Sequence, residues 1–328
     1  MPSFLRKVTA LKKKLWIKIG VGLIIVLFII DIVAGFYFYN LAIKRNVKDF
    51  LVGNADLEVS AEAMDVFLDG DWRDWTDRQD FEQWEMTSYD GLKLQGYYLE
   101  AKEPTEKTVV LAHGYLGHAQ DMGLYGEYYY EELGYNILTV DMRGHGESEG
   151  DYIGFGWDDR LDLIDWVNML IEKQGDSAEV VLHGVSMGAA SVLMASGETL
   201  PENVKAVVAD SPYSSVYDLF AYQMDRMFHL PAIPILPTTS LVTKMQAGYS
   251  LTEASSLNQV KKAEVPILYI HGNEDTFVPT QMAKELYENT KSEAEIITFD
   301  HAGHGEAFVI DQDAYVKKMN AFLAKYID

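Results

Sequence analysis

Residues 179–190, Glu179-Val-Val-Leu-His183-Gly184-Val185-Ser186-Met187-Gly188-Ala-Ala190, set a β-branched run directly before a serine flanked by glycines and then small residues. The apolar run reads as a buried strand, and Ala-Ala-Ser-Val-Leu-Met-Ala (189–195) as the start of a helix. A serine at such a sharp strand-to-helix turn holds its hydroxyl clear of the backbone. Glycines two places to either side let the strand and helix pass close together.

Outward from this turn the same alternation repeats. Strands are expected at Phe81 to Thr87, Leu92 to Leu99, Thr108 to Ala112, Asn136 to Val140, Glu179 to His183, Lys205 to Ala209, Pro266 to His271 and Glu295 to Phe299. Tyr89-Asp90-Gly91 joins the first two as a hairpin. Helices are expected near 121–133, 155–173, 187–198, 280–290 and 312–326. Strands separated by helices call for an α/β fold: an eight-stranded, mostly parallel sheet flanked by helices, with ligands bound beyond the carboxyl ends of the strands. The 56 residues between Ala209 and Pro266 exceed one crossover helix, so an insertion (213–262) is expected there. It reads as a lid over the site, with an elongated surface excursion as the competing reading. Its Pro231-Ala-Ile-Pro234-Ile-Leu-Pro237 stretch cannot form a continuous helix. Its Met and Phe residues suit either an apolar acyl pocket or ordinary core packing.

A serine hydroxyl is a weak nucleophile at neutral pH. It needs a base, and the base needs a carboxylate to orient it. Both stand just after later strands, in Gly272-Asn-Glu274-Asp275 and in Asp300-His301-Ala-Gly303-His304. Asp275 is the favoured acid, with Asp210 and Glu274 as competitors; His304 is the favoured base, with His301 as its competitor. The order Ser186, Asp275, His304 is that of the serine-elbow hydrolases.

Residues 81–328, about three quarters of the chain, resemble the α/β-hydrolase superfamily. The motifs that carry the resemblance are Gly184-x-Ser186-x-Gly188, His113-Gly114-Tyr115-Leu116-Gly117, Asp141-Met-Arg143-Gly144-His145-Gly146-Glu-Ser148, His271-Gly-x-x-Asp275-x-x-Val278-Pro279 and Gly303-His304. With the N-terminal segment, the whole is similar to the membrane-bound cell-surface serine hydrolases of Gram-positive bacteria. The resemblance implies ester or amide hydrolysis through an acyl-enzyme. By the geometry of the motif, the backbone N–H groups of Met187 and Tyr115 would form the oxyanion hole. His113, Asp141, Arg143 and His145 are read as residues that organise loops.

Ile19 to Tyr39 is a 21-residue apolar run, long enough at 1.5 Å per helical residue to span about 31 Å, and carries one charge, Asp31. Fourteen Leu, Ile, Val and Phe residues outweigh that aspartate. A single-pass signal-anchor over 19–43 is expected, following a basic tail at 1–18. A cleaved signal peptide and a buried core helix are the competing readings. Six Lys/Arg before the run against three after it favour a cytoplasmic N-terminus and a catalytic domain outside the cytoplasm. Residues 44–80 are expected to hold a membrane-proximal amphipathic helix (46–68) and a turn-rich linker (69–80).

Of 328 residues, 48% are hydrophobic and 23% charged, which excludes disorder. Cysteine is absent, which removes disulfides and thiolate nucleophiles. Nine of the 27 basic residues but one of the 50 acidic ones lie in residues 1–48, so 18 face 49 in the remainder. That outer charge of −31 disfavours nucleic acid and anionic substrates. No His-Glu-x-x-His or P-loop is present, so neither a metal nor a cofactor is implied. The expected partners are a small ester or peptide substrate and the bilayer. Ester hydrolysis leads; a small-peptide serine peptidase and a catalytically idle surface-binding protein are the alternatives.

Overall fold

The computed structural model describes residues 2–46, 63, 65–67 and 70–327, with the backbone alone for 2–12. Helix α1 (Pro2–Phe38) runs into a π-helical turn (Tyr39–Ile43). The span Lys13–Ile43 is long and apolar enough to cross a membrane. Its side chains from Leu15 to Ile30 are almost all exposed, which a core helix would not allow. At its far end the helix is built into the domain. Ile43 is fully buried, its carbonyl accepts from Ile153 N–H (2.8 Å), and Lys44 bridges antiparallel to Tyr152. The Arg45 guanidinium donates to the carbonyls of Ser148 and Gly146.

The amphipathic helix expected over 46–68 lies almost wholly outside the described residues. The linker expected at 69–80 is corrected, because Asp71–Arg78 forms a helix, α2. Trp72, Trp75 and Thr76 share one buried face of it, and Asp71 and Asp74 sit in its first turn, where the helix dipole favours carboxylates. A polar composition masked that face.

Strands β1 (Glu82–Thr87), β2 (Lys93–Leu99), β3 (Lys107–Ala112), β4 (Asn136–Val140), β5 (Glu179–Val185), β6 (Val204–Asp210), β7 (Ile267–Gly272) and β8 (Ala294–Phe299) form one sheet in the order 1-2-4-3-5-6-7-8. β1 and β2 are antiparallel to their neighbours, while β4, β3 and β5 to β8 run parallel. This is the expected α/β-hydrolase sheet. Between the strands run α3 (Gly123–Glu131), α4 (Asp159–Gln174) and α5 (Met187–Ser196). The sheet separates two apolar layers. One joins α4, α5 and the end of α1; the other joins α2, α3 and the C-terminal helix.

The insertion after β6 contains α6 (Val216–Phe228), α7 (Ala232–Ala247) and the short α8 (Ser256–Val260). Helical geometry breaks at Ile233, as the prolines require, and Pro237 falls in the turn that follows, where its missing N–H costs at most one hydrogen bond. α7 lies against α1. A Cβ placed on Gly35 would meet the Thr238 methyl at 2.7 Å, and the Thr238 hydroxyl donates to Asp31 Oδ2 at 2.5 Å. Beyond β7, α9 (Thr280–Asn289), α10 (Ala307–Ile310) and α11 (Gln312–Leu323) complete the fold.

Candidate active site

Ser186 occupies the corner between β5 and α5 with φ 54° and ψ −112°, a strained conformation for a residue with a side chain. Ser186 N–H donates to Asp210 O (2.8 Å), and its carbonyl accepts from Ala190 N–H (3.0 Å), which fixes the corner from both sides. The two glycines are needed for close approach. A Cβ on Gly184 would lie 2.2 Å from the Gly188 backbone, and one on Gly188 would lie 1.9 Å from Ala112 O.

The turn after β7 and the loop after β8 bring two partners to this hydroxyl. His304 Nε2 lies 2.7 Å from Ser186 Oγ, and His304 Nδ1 lies 2.7 Å from Asp275 Oδ2. With Nδ1–H donating to the carboxylate, Nε2 is left to accept the serine proton. Asp275 is itself fastened: its Oδ1 accepts from the backbone N–H groups of Phe277 and Val278, and its Oδ2 lies 3.0 Å from His271 Nε2. Burial opposes the ionised carboxyl, but the His304 charge and the His271 hydrogen bond hold it below the usual carboxylate range. Burial likewise opposes a charged imidazole, yet Asp275 beside it raises the pKa of His304. The competing residues lie apart from this relay. His301 is exposed and pairs with Glu274, while buried Asp210 accepts from Ser211 and Tyr315.

Loop 113–117 runs beside the serine, with a Cβ on Gly114 falling 3.5 Å from Ser186 Cβ. Met187 opens α5, so its N–H has no acceptor within the helix. Tyr115, on the loop, stacks on Phe155 with centroids 5.1 Å apart and donates its hydroxyl to Ala42 O at 2.7 Å. Behind the loop, His113 donates from Nδ1 to Gly114 O and accepts Met142 N–H at Nε2. His145 accepts Leu116 N–H. Burial pushes the two imidazoles down to about 4 and about 3, so both are neutral at pH 7 and serve as fixed hydrogen-bonding pieces. Asp141 accepts from Ala119 and Glu147 N–H, and Arg143 forks onto Asp162. All four therefore organise loops, as expected from the sequence.

Two chambers meet at Ser186. An open cleft of about 650 Å³ carries His304, Asp121, Glu274 and Glu306 on its walls. A narrow slot of about 80 Å³ on the other side is almost entirely apolar. A buried serine hydroxyl beside an imidazole that a carboxylate orients, between a mixed polar and apolar cleft and an apolar slot, is an arrangement suited to acyl transfer.

Residues 125–328, more than half of the chain, match the prolyl oligopeptidase family. The chain belongs to that family. Its α/β-hydrolase fold is shared with the Pyrococcus furiosus esterase Pf2001, at a TM-score of 0.63 and 25% identity over 76% of this chain and 92% of the esterase. A Pyrococcus horikoshii acylaminoacyl peptidase matches at a TM-score of 0.57 and 19% identity, over 79% of this chain and 44% of the peptidase, a likeness of fold. By sequence the chain is 28% identical to the Bacillus subtilis protein YqkD over 75% of this chain and 81% of that protein. It is 22% identical to the Saccharomyces cerevisiae membrane protein YNL320W over 74% of this chain and 79% of that protein. This member of the prolyl oligopeptidase family is a serine hydrolase of the α/β fold.

Several groups at the family member's site escaped the sequence reading. His271, which the sequence shows only as the first residue of a motif, steadies Asp275. Phe277 lies with its ring 5.0 Å from that of His304. Phe38, Leu41 and Ala42, from the end of the N-terminal helix, line the apolar slot. A continuous hydrophobic run hides any second role its last residues play. Among the described residues, no group of three or more histidines, aspartates or glutamates is placed to hold a metal ion.

Proposed function

We propose that the protein is a membrane-anchored serine esterase that cleaves neutral small-molecule esters through an acyl-enzyme, with Ser186 as nucleophile, His304 as base and Asp275 as orienting acid. The observation that carries this reading is the continuous relay of 2.7 Å from Ser186 Oγ to His304 Nε2 and 2.7 Å from His304 Nδ1 to Asp275 Oδ2. Ser186 Oγ bonds to the acyl carbon as its proton passes to Nε2. The bond to the leaving alkoxide breaks, and the same proton leaves with the alcohol. Water, deprotonated by His304, then hydrolyses the acyl-serine. The N–H groups of Met187 and Tyr115 are assigned to the developing oxyanion.

Residues 1–18 are assigned to the cytoplasm, 19–43 to the membrane anchor, whose last turn enters the domain, 44–80 to the connection, and 81–328, with the 213–262 insertion, to an external catalytic domain. The exposed apolar helix and the excess of basic residues ahead of it support this placement. Ser186→Ala is expected to abolish both hydrolysis of p-nitrophenyl esters and labelling by a fluorophosphonate; full activity in that variant would overturn the proposal. Membership of a family named for a peptidase keeps a small-peptide peptidase as the second reading. Ester and amide substrates with the same acyl group separate the two by their kcat/KM.

A further inference from the structure

The apolar slot is not walled by the catalytic domain alone. Phe38, Leu41 and Ala42, at the end of the N-terminal helix, face Leu219, Met224 and Phe228 of α6 across it, with Ser186 and Met187 between them. The rings of Phe38 and Phe228 meet edge to face at 5.3 Å. A tether whose only task is retention has no need to line a substrate chamber.

The insertion helix α7 fixes how deep this arrangement sits. It touches α1 at Asp31 and Gly35, up to seven residues before Phe38. At 1.5 Å per residue, that contact lies about 10 Å back along the apolar helix, the depth reached by interfacial helices that dip into a bilayer. The side chains around α7 agree: Ile233, Leu241 and Met245 are 71%, 61% and 60% exposed, a cost in water that lipid removes. On the opposite side of Ser186, the cleft carries the carboxylates Asp121, Glu274 and Glu306 against the guanidinium of Arg73, and the domain beyond residue 48 is strongly acidic. Such a cleft repels an anionic headgroup and accepts a neutral one.

We infer that the slot receives the acyl chain of a neutral glycerolipid ester directly from the bilayer, with the end of the N-terminal helix as one wall and the α7 face immersed beside it. This rests on the esterase reading of Ser186. The bonds made and broken are those of that acyl transfer, with glycerol or an acylglycerol as the leaving alcohol and a fatty acid as the product.

The test uses the full chain in phosphatidylcholine vesicles, with soluble p-nitrophenyl esters from acetyl to octanoyl and with monooleoylglycerol carried in the same membranes. Six methylenes separate acetyl from octanoyl, and each one taken into an apolar slot is worth about fourfold in kcat/KM, so a rise on the order of 10³-fold is expected. Ala42→Trp and Leu219→Trp fill the slot from opposite walls, and both are expected to cut the octanoyl-to-acetyl ratio at least tenfold. An unchanged ratio in both variants would overturn the slot. Ile233→Glu combined with Leu241→Glu is expected to lower the rate on monooleoylglycerol at least fivefold relative to soluble butyrate; an equal fall on both substrates would overturn supply from the bilayer. Faster hydrolysis of a phosphatidylglycerol than of monooleoylglycerol would overturn the neutral headgroup. Ser186→Ala separates these failures from failure of the esterase reading itself, since hydrolysis that survives it does not arise at this site.

Discussion

Tyr115 donates its phenolic hydrogen to the carbonyl oxygen of Ala42 across 2.7 Å, joining the loop beside Ser186 to the π-helical turn that ends the N-terminal helix. The bond is partly buried, and burial raises the pKa of the phenol, so it stays a donor across the working pH range. Tyr115→Phe leaves the Ala42 carbonyl without this donor, at a cost of about 1–3 kcal/mol. The expected result is a lower melting temperature and a several-fold fall in kcat on short esters with little change in KM, because the loop's placement is loosened and the slot remains. Steady-state kinetics and a thermal melt check it.

The relay sets a pH dependence. As the proposed base, His304 would work only when neutral, and Asp275 raises its pKa above the 6.5 usual for histidine. A raised pKa keeps the inactive imidazolium to higher pH, so kcat/KM should fall on the acid side through a titration above that value. Asp275→Asn removes the charge that stabilises the imidazolium, and the acid limb should move to lower pH. It also loses the carboxylate that holds the imidazole in its working tautomer, and kcat should drop on the order of 10⁴-fold. Stability follows the opposite limb for Asp275. Its folded pKa is depressed, so its contribution is complete above the unfolded value near 3.8 and is lost only as pH falls through the lower folded value. A pH–rate profile of both proteins is the measurement.

Gly188 tests the corner itself. A methyl there would stand 1.9 Å from Ala112 O and 2.7 Å from His113 O, both backbone atoms that cannot swing away. Gly188→Ala must push α5 off β3, and it should cost about 3 kcal/mol of stability, with activity lost in step. Gly91→Ala is the contrast. It meets nothing within 4 Å, although it keeps the strain of φ 90°, and should cost about 1 kcal/mol. Urea unfolding of the two variants checks the difference.

What the sequence disclosed follows from the range of the interactions. The corner at Ser186 and the strands around it were legible because a buried parallel strand, a glycine-flanked turn and a small-residue helix each leave a local pattern. Asp275 and His304 were legible because chemistry in such sheets gathers just after strand ends. Helix α2 was not, since two tryptophans among five charges do not reveal which face is buried. The contact of Asp31 with Thr238 joins residues 207 positions apart, and neither side of it carries a periodic signal. Asp31 read only as a charge the apolar run tolerates, yet its partner lies on the insertion, which ties the helix to the site.

The orientation proposed for the chain can be checked with its own composition. The sequence has no cysteine, so a single introduced thiol is a unique label that competes with nothing. Asp176 is exposed in the turn that follows α4 and precedes β5, remote from Ser186 in the sheet because chemistry lies at the opposite, carboxyl ends of the strands. In intact cells, Asp176→Cys is expected to react with a membrane-impermeant maleimide, whereas Ser3→Cys should react only once the membrane is opened. Six Lys/Arg ahead of the apolar run against three behind it bias the N-terminus inward, and moving that balance should move the label. Replacing Lys12, Lys13, Lys14 and Lys18 with glutamine leaves two basic residues ahead of the run against three behind. Labelling at position 3 in intact cells should then rise as labelling at 176 falls. Labelling of position 3 without labelling of position 176 in intact cells of the unaltered chain would place the catalytic domain on the wrong side for an external hydrolase.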